Sequence, residues 1–75
     1  MRVHIKLTGL LKAKTPEGGV LDLGEGATIG EALDQLQIPL QSVQIFTVNG
    51  RLVRDREYGL GEGDELTVLP PAGGG

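Results

Sequence analysis

The residues able to do chemistry in this chain fall into a few groups, each implying a different reaction. His4 is the only histidine and Ser42 the only serine, so a Ser-His-carboxylate triad would have to use both. One lies in an alternating strand pattern and the other in a loop after a helix, and nothing in the spacing joins them; a solvated surface histidine is the reading that fits. Glu57, Glu62, Asp64 and Glu65 gather carboxylates near one turn, but without the alternating ligand spacing of a calcium loop, and they read as charged turn residues flanking a strand. Gly59-Leu60-Gly61-Glu62-Gly63 is glycine-rich, yet a phosphate cradle needs a helix to follow it. Here a strand follows, and the acidic neighbours repel phosphate. What remains is the end of the sequence, Pro70-Pro71-Ala72-Gly73-Gly74-Gly75. Glycine tolerates nearly every φ/ψ combination, so such an end can thread a narrow slot and present its carboxylate inside another protein. The same residues also fit an inert, frayed terminus.

Composition narrows the setting. At 75 residues the chain is one small domain that buries roughly 60% of its unfolded surface, with no room for an internal cofactor cavity. Phe46 and Tyr58 are the only aromatics, so the core is aliphatic. Cysteine is absent, which removes disulfides and thiolate metal sites. The net charge is −3 with scattered Lys and Arg, an arrangement suited to a basic protein surface and unsuited to nucleic acid. The start, Met1 to Lys6, is strand-like with no apolar signal region, and no stretch is long enough to cross a bilayer. The expectation is a cytoplasmic protein with no membrane partner.

The elements that must position the tail follow from periodicity. Val3, Ile5 and Leu7 alternate with Arg2, His4 and Lys6, the pattern of a strand with one buried face. Gly9 to Gly19 reads as a long, partly basic connection with some extended structure, in which Leu10 and Leu11 either cap the core or form a docking patch; the core is favoured. Val20 to Leu23 gives a second strand. Thr28-Ile29-Gly30-Glu31 fits a capping box and starts a helix. Ile29, Leu33 and Leu36 form its buried stripe, and Pro39 ends it near Gln37. Val43 to Val48 is a strand, and Asn49-Gly50 predicts a type I′ turn that returns Arg51 to Arg54 antiparallel. Tyr58 and Leu60 are expected to tuck under the sheet. Glu65 to Leu69 is the last strand, closed by Pro70-Pro71. The order reads as β-β-α-β-β, with a domain over 1–69 and a flexible tail over 70–75.

Several stretches together resemble a known family. Gly26 to Ile29, Val48-Asn49-Gly50-Arg51-Leu52-Val53, Leu60 to Glu65, and Val68 to Gly75 are similar to the MoaD/ThiS family of ubiquitin-like sulfur carriers. The resemblance implies an α+β, ubiquitin-like β-grasp fold, with the first and last strands parallel at the centre of a mixed sheet and the helix on one face. It also implies a carrier and not an enzyme: an E1-like adenylating enzyme, using ATP and magnesium, activates the Gly75 carboxylate, and a sulfur donor such as a cysteine desulfurase or rhodanese yields a thiocarboxylate. No cofactor or metal is implied on the chain itself. Gly75 is then the reactive residue, Gly74 gives access to the partner's active site, and an acceptor synthase subunit consumes the sulfur. The long Gly9 to Gly19 connection and the Pro70-Pro71 pair look more like the molybdopterin synthase small subunit than the thiamine carriers.

Three readings stay open on sequence: the sulfur carrier, a ubiquitin-like modifier joined through Gly75 to lysines, and a β-grasp interaction module with inert glycines. Residues beyond Leu69 reach at most about 20 Å, enough for a recessed active site. By alternation, the docking face is expected on the sheet opposite the helix, with Phe46 or Leu52 exposed.

Overall fold

A computed structural model describes residues 1–71 of the chain. Strand β1, Arg2–Leu7, alternates as its sequence requires: Val3, Ile5 and Leu7 are buried and Arg2, His4 and Lys6 exposed. Strand β2, Val20–Asp22, runs antiparallel to β1 with Leu21 opposite Val3. Helix α1, Ile29–Leu36, follows. Strands β3, Ile45–Val48, and β4, Arg51–Val53, form a hairpin, and β5, Glu65–Leu69, completes the sheet. The spatial order is β2-β1-β5-β3-β4, with β5 parallel to β1 and antiparallel to β3. This is the expected β-grasp arrangement, with the returning Arg51–Val53 segment a full sheet member. The chain order is thus β-β-α-β-β-β, one strand longer than the shorthand read from sequence.

The core lies between the sheet and α1. Ile29, Ala32, Leu33 and Leu36 from the helix join Val3, Ile5, Leu7, Leu66 and Val68 in one aliphatic cluster. The capping box forms as predicted: the Thr28 hydroxyl accepts from the Glu31 amide at 3.2 Å, and the Glu31 carboxylate accepts from the Thr28 amide at 3.0 Å. At the other end the helix stops by a device the sequence hides. Gln37 takes a left-handed φ of 60°, and the amides of Gln37 and Ile38 donate to the carbonyls of Asp34 and Leu33. That is the Schellman pattern with glutamine in the place usually held by glycine. Pro39 acts after the stop.

Other expectations change. The Gly9 to Gly19 connection is not extended; it forms 3₁₀ turns over Gly9–Lys14 and Glu17–Gly19. Both edges of β1 are already taken by β2 and β5, so this segment has no ladder to join there and satisfies amides locally, as in Leu11 to Thr8 and Thr15 to Lys12. Leu11 is buried while Leu10 stands 90% exposed, which divides the pair expected to act together. Tyr58 is exposed and Leu60 buried. Tyr58 is anchored through its backbone while its ring faces solvent: its amide donates to the Asp55 carbonyl and its own carbonyl accepts from the Ile29 amide at the start of α1.

Candidate functional site: the root of the C-terminal segment and the open sheet face

β5, the strand that leads to the C-terminal segment, is held along both edges. Leu66 and Val68 are fully buried. The Leu69 carbonyl accepts from the Gln44 amide at 2.8 Å. Pro70 is half-buried and Pro71 exposed. Body contacts therefore continue one residue beyond Leu69, the expected end of the domain. The predicted reactive residue Gly75 and its neighbour Gly74 lie outside the described residues.

The start of β5 is fixed by a side-chain bridge. Asn49 at φ 53° and Gly50 at φ 83° form the left-handed turn that the Asn-Gly pair predicts. The Asn49 side chain also ties this turn to the next one. Its Nδ2 donates to Asp64 Oδ1 at 2.9 Å, and its Oδ1 accepts from the Glu65 amide at 2.9 Å. The other Asp64 oxygen accepts from the Gly61 amide at 2.8 Å. The Asn-Gly and Gly-Asp motifs are thus two halves of one lock between the β3–β4 hairpin and the turn that feeds β5. From sequence they read as separate turns. The signal present there was their co-occurrence just before the last strand.

The remaining candidates are dispersed. His4 pairs in register with Glu65 at one end of β5, whereas Ser42 precedes β3, whose Ile45 pairs with Leu69 at the other end. The four-residue step between Glu65 and Leu69 alone is about 13 Å, so no triad forms. Glu62 accepts from the Arg2 amide and Asp64 serves the lock just described. Among the described residues no group of three or more His, Asp or Glu side chains is placed to hold a metal ion. No described helix is long and apolar enough to cross a membrane.

The sheet face opposite α1 carries the other feature of note. Leu52 is 53% exposed and Ile45 36% exposed, and Ile45 pairs with the half-buried Leu69. These residues form an apolar strip next to the tail root, and Arg54, Gln44 and Val53 join Ile45 and Leu52 around a shallow depression of about 170 Å³. Leu52 is exposed as expected; Phe46 is not. Phe46 pairs with Val68, which faces the core, so the register turns Phe46 inward and Ile45 outward. Alternation over Val43 to Val48 permits either parity, since each set pairs two apolar residues with one polar one, Thr47 or Gln44.

The tail root, the lock and the open strip lie together at the β3–β4–β5 side of the sheet. A model of the ThiS family matches residues 5–75. The chain belongs to the ThiS family. No curated protein matches it by sequence. Among solved structures, SAMP1 from Haloferax volcanii superposes with a TM-score of 0.75 at 24% identity over the whole of both chains. The putative molybdopterin converting factor subunit 1 from Pyrococcus furiosus gives 0.73 at 20% identity over 96% of this chain and 99% of that one. The complex of subunits 1 and 2 of molybdopterin-converting factor from Helicobacter pylori gives 0.64 at 22% identity, both chains covered fully. At these identities the structural likeness speaks for the fold, and the family match speaks for membership.

Proposed function

We propose that this protein is a sulfur carrier, and not itself an enzyme, whose Gly75 carboxylate is activated by an E1-like partner and converted to a thiocarboxylate. The observation that carries the reading is a ThiS family match running through residues 5–75, and so through Gly73-Gly74-Gly75. A carboxylate has a poor leaving group. Attack by Gly75 on the α-phosphorus of ATP releases pyrophosphate and leaves an acyl-adenylate, from which a sulfur nucleophile displaces AMP. ATP and magnesium are substrates of the partner, and this chain contributes the carboxylate and its delivery. A cysteine desulfurase or rhodanese supplies the sulfur as a persulfide, whose outer sulfur displaces AMP to give an acyl disulfide; a thiol then cleaves that disulfide, being oxidised to a disulfide itself, and releases the thiocarboxylate. The chemistry belongs in the cytoplasm, where ATP is at hand.

Delivery needs a firm hold on the body. Ordering the four residues after Pro71 costs roughly 4–8 kcal/mol of backbone entropy, which docking must offset. The strip of Leu52, Ile45 and Leu69 is the surface for it, lying beside the tail root. From Pro71 the Gly75 carboxylate lies within about 14 Å, so the partner's catalytic centre must sit close behind its docking surface. The molybdopterin pathway is the preferred destination, supported by the likeness to molybdopterin converting factor subunit 1 and by its structure in complex with subunit 2. In that setting the acceptor is a synthase large subunit.

A second reading has its own support: the Haloferax volcanii neighbours are described as small archaeal modifier protein 1. An acyl-adenylate reacts with a lysine amine as readily as with sulfur, so a modifier uses the same end. Intact mass after incubation with the E1-like enzyme, ATP, magnesium and a sulfur donor separates the two. A gain equal to sulfur minus oxygen supports the carrier; lysine-linked adducts without that gain support the modifier.

A further inference from the structure

Because β1 and β5 are parallel neighbours, their ends leave the sheet side by side. Leu7 pairs with Val68, and the same register carried two residues on sets Gly9 against Pro70. The side-chain geometry agrees: a Cβ built on Gly9 would lie 2.9 Å from Pro70 Cγ and 3.7 Å from its Cδ. Gly9 also has a φ of 58°. Other described glycines at positive φ, such as Gly18, Gly26 and Gly63, have open space where a Cβ would go. Gly9 is therefore set apart by its neighbour as well as by its turn.

Pro70 has little freedom to step aside beyond a change of ring pucker. Its Cγ belongs to a ring closed on the backbone nitrogen, so moving the ring moves the chain. The Gly9 side is held more firmly: Leu11, two residues on, is buried, and its amide donates to the Thr8 carbonyl at 3.1 Å, whereas Pro70 is half-buried and followed by the exposed Pro71. The chain that yields under a clash is thus the one leading to Gly75.

We propose that Gly9 is a positioning residue: its missing side chain lets Pro70 lie in register beside the end of β1, and this sets the direction in which the C-terminal segment leaves the body. The inference rests on the carrier reading. A side chain at Gly9 misdirects the carboxylate while leaving the Leu52 and Ile45 strip untouched, so it lowers kcat for adenylation and spares KM.

The test measures ATP-dependent adenylation by the E1-like enzyme for wild type, Gly9→Ala, Gly9→Asn, Gly26→Ala, Pro70→Gly and the double variant Gly9→Ala/Pro70→Gly. Asparagine tolerates left-handed φ but keeps the Cβ, and Gly26→Ala introduces left-handed strain without a clash. Expected is a fall in kcat of about 10- to 100-fold for both Gly9 variants, the upper end being the cost of misplacing a reacting group by about an ångström, with KM within about twofold and Gly26→Ala near wild type. In the Pro70→Gly background, Gly9→Ala has no further effect, since the ring it strikes is gone. Amide shifts at Leu69 in Gly9→Asn report the displaced root independently of activity. A wild-type chain that is never adenylated overturns the carrier reading. Adenylated wild type with Gly9 variants matching Gly26→Ala, or an undiminished Gly9→Ala effect in the Pro70→Gly background, overturns the role of Gly9 alone.

Discussion

Single residues here often hold conformations their type does not advertise. Gln37 at φ 60° is the clearest case: the left-handed region costs an L-residue roughly 1–2 kcal/mol. Its backbone makes the contacts that hold it there, accepting from Lys14 Nζ at 3.0 Å and donating into the helix end. Gln37→Gly keeps those bonds, and it is expected to stabilise the fold by about 0.5–1 kcal/mol after the added unfolded-state freedom of glycine is offset; urea unfolding with an unchanged m-value checks it. Asn49 is the opposite case, a residue whose side chain matters beyond its φ. Asn49→Gly preserves the turn and removes both bonds to the Asp64–Glu65 segment, at an expected cost of about 1–2 kcal/mol. A loss below about 0.3 kcal/mol would mean the bridge contributes nothing beyond what water supplies to the same groups. The turn at Asn49-Gly50 was legible in sequence because glycine and asparagine mark positive φ. The helix end near Gln37 was legible through Pro39, but its left-handed cap was not, because glutamine marks nothing.

Elements were legible where one face only is apolar. Val3, Ile5 and Leu7 alternate with charged residues, and the helical stripe of Ile29, Leu33 and Leu36 faces away from Glu31 and Asp34, so β1 and α1 follow from pattern alone. Val43 to Val48 is equally apolar on its two parities, and only pairing with β5 decides that Phe46 is core and Ile45 is surface. The 3₁₀ turns of Gly9–Lys14 were illegible for a related reason: they form because β1 has no free edge, a property of the assembled sheet. The β3–β4 hairpin carries the test of the docking face. Leu52 faces solvent and supports no core contact of its own, so Leu52→Ala should leave stability within about 0.5 kcal/mol. If the strip docks the activating partner, the same change should raise KM for adenylation by roughly 5- to 30-fold, the range of a 1–2 kcal/mol interface contact, with kcat retained. Unchanged KM would move the docking surface elsewhere.

For the molecule as a whole, body and reactive end are expected to be separable. Removing Gly74 and Gly75 deletes no side chain from the aliphatic cluster, and the unfolding midpoint should shift by no more than a surface change does, about 0.5 kcal/mol. Thiocarboxylate formation should cease, because the carboxylate then falls short by roughly 7 Å of extended chain; intact mass reads the loss directly. A lowered midpoint would show that these glycines contribute to the fold. The terminal glycine run drew notice in sequence because it is chemically unusual, and it lies outside the described residues; the surfaces beside its root, Ile45 with Leu69 and Gly9 with Pro70, exist only once distant strands are paired. That pairing has a consequence for synthesis. The strand at the middle of the sheet is the last one to be translated, and β1 and β3 have no common neighbour until Glu65–Leu69 arrives. A chain cut short before that point has no strand to join β1 to β3, so it is expected to be digested by a protease far faster than the full chain in a limited-proteolysis comparison.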